Sequence, residues 1–217
     1  MAERILAGVT ADTFNYLQHG AGVVIRDFEY ESIITATAFK TALDTAMTTP
    51  QNLGGTRGGM KLTVTPTTRK VDIDGTNLVS FVGDEIVSSW AVTLETSLVQ
   101  FNPQALQEAY PSAEFIDVGT AKEITAMRIK QQYSKEDYAT NHALIVSTSF
   151  GYLMVAFLNS LTRQSGDIQT TADGEAVIPI QITPKNADFT DIDNLPIEVW
   201  FVNMSDGGID IGVVTGP

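Results

Sequence analysis

Two histidines, His19 and His142, are the chain's candidates for a general base, and neither stands in a motif that would activate a nucleophile. His142 opens an apolar run with Asp137 shortly before it, so a Ser-His-Asp relay would need only one of several serines. Such a relay depends on a turn like G-x-S-x-G holding the hydroxyl against the imidazole, and no comparable context occurs. His142 therefore reads as a structural residue at a strand end, while His19 lies in a stretch with no period to hold its ring. Carboxylates offer a second chemistry, because Asp188, Asp191 and Asp193 cluster in one loop and Asp206 and Asp210 in another. Calcium takes oxygen ligands of this kind, but the spacing is not that of an EF-hand and lacks its glutamate. Turn chemistry, in which Asp and Asn bond to their own backbone, explains both loops. Leu53-Gly54-Gly55-Thr56-Arg57-Gly58-Gly59 has the outline of a phosphate loop, yet it lacks GK[ST] and precedes a strand instead of opening a helix. No cysteine is present to supply a thiolate. These readings assign no catalytic residue, no metal ligand and no cofactor.

Charge narrows the partners. Thirteen basic residues against 26 acidic ones give a net charge of −13, which argues against electrostatic capture of DNA or of an anionic membrane. Only 18% of residues are charged, below the roughly 25% of an average soluble domain, so much of the surface must be neutral. No run approaches the roughly 20 apolar residues of a membrane span, and Met1-Ala-Glu-Arg-Ile-Leu is no signal-peptide core. The expectation is a chain made in the cytoplasm with no membrane partner.

Periodicity predicts a mainly β fold. Residues 1–19 have no clear period and lead into Gly20-Ala-Gly22, which reads as an arm on a flexible hinge before a domain spanning 20–205. A strand is expected over Val23–Tyr30, with Val23, Ile25 and Phe28 turned inward. Ser32–Met47 is ambiguous: Ile33, Ala36, Phe39, Leu43 and Ala46 fit a helical period, whereas its threonines favour extended structure. Thr48–Gly59 reads as a long polar loop. Leu62 and Val64 begin a strand, Val71 and Ile73 lead into an Asp74-Gly75 hairpin turn, and Ile86, Trp90, Val92, Leu94 and Leu98 share one parity of a long strand. Asn102-Pro103 can cap and open one short helix that Pro111 ends. Strands follow over Ile124–Tyr133, Ala143–Leu158 (broken or bulged at Gly151), Ala176–Ile182 and Ile197–Val202, and Pro179 marks its strand as an edge or a bulge. Residues 206–217 read as a C-terminal tail.

The order of these features carries a resemblance. The Gly54-Gly-Thr-Arg-Gly-Gly59 segment, the Ile73-Asp-Gly75 turn and the Val92-Thr-Leu-Glu-Thr-Ser-Leu98 strand run straight into the short helix. In this respect the chain resembles the major tail tube proteins of long-tailed, siphovirus-type bacteriophages, whose members show a G-x-T-x-G-G loop, an I-D-G turn and a V-x-L-x-T-x-L strand before a short helix. The likeness spans roughly 20–205, and its specific part is Leu53–Ala109. It departs from larger members in lacking room for an immunoglobulin-like domain after Val202.

That resemblance implies a β-sandwich or partly closed barrel of two packed sheets with one short flanking helix, a long loop and mobile terminal arms. It also implies a virion protein that assembles with itself as hexameric rings stacked into a tube, alongside tape measure, tail tip and tail terminator proteins. DNA passes through such a tube without specific binding. Leu53, Gly54, Gly55, Thr56, Arg57, Gly58 and Gly59 are then expected to order against a neighbouring subunit, and Asp72, Asp74, Glu85 and Glu95 to line an acidic lumen. Two other readings compete: the tube of a bacterial contractile injection or type VI secretion apparatus, and a monomeric β-sandwich binding module.

Overall fold

β-Branched and apolar residues at alternating positions drive most of the chain into strands, and one long strand ties them together. The computed structural model describes residues 18–70, 85–118, 124–165, 167–171, 174–187 and 194–204. Its strands are β1 (Gln18–Arg26), β2 (Thr56–Lys70), β3 (Glu85–Leu98), β4 (Ala113–Val118), β5 (Ile124–Ile129), β6 (Ala139–Thr148), β7 (Gly151–Gln164), β8 (Gln169–Thr171), β9 (Gly174–Thr183) and β10 (Ile197–Asn203). Two helices accompany them, α1 (Ala36–Met47) and α2 (Pro103–Ala109). All of the pairings are antiparallel, in the order β1-β6-β7-β9-β3-β2, with β10 also on β7, β8 on β9, and β4-β5 apart as a small second sheet.

β7 belongs to two layers. Its first half, Gly151–Phe157, lies between β6 and β10, while Leu161–Gln164 pairs with β9. Val155 and Phe157 face the same core as Ser160 and Thr162, which strict alternation forbids. Asn159, at φ 44°, breaks the alternation by a local turn of the backbone, while the pairing with β6 keeps one register from His142↔Phe157 to Ala139↔Ser160. Val24, Leu144, Val146, Val155 and Phe157 of the first layer then close over Val92, Leu94, Leu98, Ile178, Ile180 and Ile182 of the second, with Ala105 and Ala109 of α2 in the same core. The opposite face of the first layer, Ile25, Ala143, Ile145, Met154 and Ala156, packs under α1 with Phe28 and Tyr30. The mainly β, sandwich-like expectation holds, but two helices flank it where one was expected.

α1 resolves the ambiguous segment. Thr35 caps it through Ala38 N at 3.2 Å, and Phe39, Leu43 and Ala46 are buried along one stripe. Thr41 and Thr45 bond back to the carbonyls of Thr37 and Thr41, so their hydroxyls are satisfied on the outer face. For α2 the cap is as predicted: Asn102 accepts from Ala105 N at 2.7 Å, with Pro103 in the first turn.

Several boundaries differ from the sequence expectation. The first strand ends at Arg26, because Asp27 turns to φ 50° and the Asn141 side chain holds both the N–H and the carbonyl of Phe28. Gly20 and Gly22, expected as a hinge, sit inside β1 at a bulge between His19 and Val23. The long loop over 48–59 is also corrected. Arg26 N bonds to Gln51 O, Asn52 bridges Ile25, and Leu53 N bonds to Val24 O, so this stretch covers the free edge of β1 and buries Leu53. Thr56–Gly59 already belongs to β2. Residues Ala143–Leu158 form two strands, joined by a tight turn at Ser149-Phe150, with Gly151 opening the second. Ile124–Tyr133 stops pairing at Ile129. Pro179 is not on an edge strand; it falls where β9 changes partner from β7 to β8, so its missing N–H interrupts no ladder. Of the arm expected over 1–19, Gln18 and His19 already pair with β6 as the start of β1, and its residues 1–17, the Asp74-Gly75 turn and the tail over 206–217 lie outside the described residues.

Candidate functional site

The first candidate is a polar cluster at one end of the inter-sheet core. Arg26, His142, Ser160 and Thr162 project into it from β1, β6 and β7, and Glu108 enters from α2. His142 Nδ1 lies 2.7 Å from Ser160 Oγ, and Nε2 lies 3.1 Å from Glu108 Oε2 and 3.3 Å from Thr162 Oγ1. Arg26 donates to Glu108 Oε1 at 2.7 Å and, through Nε, to Asp27 at 3.2 Å. A serine, an imidazole and a carboxylate in line have the composition of a nucleophilic relay. The surroundings do not allow that use, because Ser160 is 0% and His142 1% exposed, and no substrate reaches the hydroxyl. Burial, the largest single influence on Glu108, raises its pKa; the His142 imidazole and then the Arg26 guanidinium together outweigh it and hold the carboxyl at about 2. The cluster pins α2 to both layers. Asp137, the carboxylate that a Ser-His-Asp relay would have needed, instead accepts from Ser134 N at 2.6 Å.

Sequence reasoning missed Glu108, although a signal was present. Glu108 shares the inward stripe of α2 with Ala105 and Ala109, and His142 has the parity of Leu144 and Val146. Two polar residues at core-facing positions require each other.

The second candidate is the β2–β3 ribbon. β9 pairs with β3 only over Leu94–Leu98, so from Glu85 to Thr93 the described partner of β3 is β2 alone. This two-stranded part is about 30 Å long at roughly 3.3 Å per residue. Its cross-strand pairs sort onto two faces. Leu62–Leu94, Val64–Val92 and Pro66–Trp90 continue the core face outward, whereas Lys61–Glu95, Thr63–Thr93, Thr65–Ala91 and Thr67–Ser89 form the polar face. Leu94 and Val92 are buried, but Leu62, Val64 and Trp90 are 41%, 39% and 46% exposed, with Ile86 and Val87 exposed beyond them. Trp90 is therefore corrected from a core residue to a ribbon residue; its parity was right, and the strand simply outruns the body that would cover it. Trp90→Ala should accordingly cost the monomer about 1 kcal/mol, against the roughly 3 to 5 typical of a core tryptophan. With Trp200→Phe as background, Trp90 emission should be that of a solvent-exposed indole, and a buried-type spectrum would contradict this placement.

Of the seven loop residues expected at a subunit contact, Leu53 is buried against β1, while Gly58 and Gly59, both at φ 79°, form a bulge in β2 that Thr96 Oγ1 holds by bonding to Gly59 O at 3.1 Å. Gly54, Gly55 and Thr56 line an open groove of about 550 Å³ together with Asn52, Gln100 and Asn102, and Arg57 is exposed at the base of the ribbon. Among the four carboxylates expected in a lumen, Glu85 is exposed opposite Lys70, and Glu95 lies on the polar face between Lys61 at 3.6 Å and Gln181 at 3.2 Å. Asp72 and Asp74 lie outside the described residues, as do the acidic loops at 188–193 and 206–210. Among the described residues no group of His, Asp and Glu is arranged to hold a metal ion, and no helix is long and apolar enough to cross a membrane.

No protein-family model matches the chain, and neither does any curated protein.

Proposed function

We propose that the chain is a structural subunit that polymerises with itself, as stacked hexameric rings, into the tail tube of a phage and so forms the acidic conduit for DNA. The β2–β3 ribbon carries this reading. A two-stranded ribbon is marginal in water by itself, and one that exposes Leu62, Val64, Trp90 and, beyond the bulge that brings it opposite Thr68, Val87 along one side gains its cover from another molecule. Its open edge is guarded against indiscriminate pairing by Pro66, Lys61 and two bulges, which favours one defined contact over aggregation.

The neutral stretch of the polar face beyond Lys61–Glu95, from Thr63 and Thr93 to Thr67 and Ser89, suits packing between subunits, and the net charge of −13 suits a passage that must let DNA slide. Glu85, Glu95, Asp72 and Asp74 are the carboxylates we assign to that passage. In a virion the tube would meet tape measure, tip and terminator proteins at its interior and ends.

Negative-stain microscopy of the purified protein at rising concentration tests the reading. Hollow filaments of uniform diameter are the expected result. A protein that stays monomeric at every concentration and salt condition would overturn it.

A further inference from the structure

Resting on that self-assembling reading, we propose that strand β2 of one copy docks on the groove between α1 and β10 of the next, joining apolar face to apolar face and cations to carboxylates. The two surfaces differ, as a head-to-tail contact requires. On the donor side, β2 carries Arg57, Lys61, Arg69 and Lys70 and no carboxylate in a chain of −13; across the ribbon Glu95 lies 3.6 Å from Lys61 and Glu85 stands opposite Lys70, while Arg57 and Arg69 face Ser97 and Ile86. The same strand exposes Leu62 and Val64.

On the receiving side, a groove of about 230 Å³ lies between the start of α1 and β10, with Tyr30, Phe39, Trp200 and Phe201 among its walls. Its apolar rim is uncovered: Ile34 is 92% and Phe201 55% exposed. Glu198 Oε2 accepts from two of its walls, Tyr30 Oη at 3.2 Å and Trp200 Nε1 at 3.0 Å, and Glu29 and Glu31, on either side of Tyr30, are exposed along the adjoining groove that shares Tyr30 with it. The negative potential there is felt by Tyr30, whose phenol is driven up first by burial and then by Glu198 and Glu31. No comparable cation lies beside these glutamates in sequence, since Arg26 is committed to Glu108 and Asp27. Cations on a strand with an apolar face meet carboxylates around an apolar groove, so the occupant that matches both features is a second copy of this chain.

A nucleic acid strand is the other occupant that cations and an aromatic residue suggest. Four cations over a strand of about 50 Å, at roughly 3.3 Å per residue, are too sparse to follow a phosphate backbone against the charge of the whole chain.

Charge exchange in the full-length protein tests the docking. Arg69→Glu with Lys70→Glu, and separately Glu29→Lys with Glu31→Lys, should each raise the concentration needed for assembly about tenfold, read by light scattering and sedimentation. The effect should shrink as salt shortens the Debye length. The four substitutions together should restore assembly to within about threefold of wild type, with circular dichroism of the monomer unchanged throughout. Assembly of either double variant at the wild-type concentration, or no rescue in the fourfold variant, overturns the docking and leaves the tube reading intact. A wild type that never assembles overturns both. Binding of a fluorescein-labelled single-stranded oligonucleotide that is lost in Arg69→Glu/Lys70→Glu would also overturn it, by assigning the cations to nucleic acid. Should a reversal disturb the fold, Phe201→Ser supplies a neutral second variant, and its assembly at the wild-type concentration counts against the groove.

Discussion

Glu108→Ala should lower the stability of the folded subunit by about 3 to 5 kcal/mol, a large part of the roughly 5 to 15 that a domain of this size has in total. The carboxylate is 2% exposed and shared between Arg26 and His142, so its removal leaves Arg26 with Asp27 alone and frees the end of α2 that both layers grip. Glu108→Gln keeps the shape and removes the charge, which isolates the electrostatic part. In the fold this carboxyl titrates at about 2 instead of near 4.5, so its contribution is complete above pH 4.5 and is lost as the pH falls towards 2. The melting temperatures of wild type and Glu108→Gln should therefore be furthest apart near neutral pH and converge as the solution is acidified. Parallel pH profiles for the two proteins would show that Glu108 does not hold its charge in the core.

What the sequence reveals about this subunit follows the reach of each rule. Alternation in Val92-Leu94-Leu98 and Ile178-Ile180-Ile182 marks the inward faces correctly, because both strands are covered over that length. The same rule misplaces Trp90, since parity tells which side a residue faces and is silent on how far the opposite layer extends. Asn102-Pro103 announces α2 through cap chemistry that is local to the chain. α1 is harder to see because Thr37, Thr41 and Thr45 weigh against helix in propensity, and their compensation, hydroxyls bonded back to carbonyls one turn earlier, exists only once the helix has formed. The glycines of Thr48–Gly59 suggest a free loop. Leu53 is the residue that contradicts it, a lone apolar side chain whose pocket is assembled from strands distant in sequence. The polar cluster was half legible: His142 was noticed for its chemistry, and its partner went unseen because the inward stripe of a seven-residue helix is too short to define a period. For the ribbon, sequence supplied the strands and the neutral face, whereas the exposure on which the proposed interface rests is a property of the folded body.

Replacing Leu62, Val64 and Trp90 together by threonine should raise the concentration needed for assembly about a hundredfold while leaving the monomer folded. Full burial of such side chains contributes roughly 1.5 to 3 kcal/mol each. The subunit already covers about half of each one, so a neighbour recovers about 1 kcal/mol per residue, or about 3 in all. At 1.4 kcal/mol per factor of ten, that amounts to about two decades in association. Threonine keeps the β-branched preference of the strand, so a loss of assembly cannot be ascribed to a melted ribbon. Sedimentation equilibrium and far-ultraviolet circular dichroism read the two outcomes separately. The residual assembly of this variant should remain as sensitive to salt as that of the wild type, because Lys61, Arg69 and Lys70 are untouched. The charge-reversed variants should show the converse, a weaker contact that added salt strengthens by screening the new repulsion between like charges. If the threonine variant assembles at the wild-type concentration, the exposed face of the ribbon is not where subunits meet, and the polymerising surface has to be sought on the neutral side of the same strands.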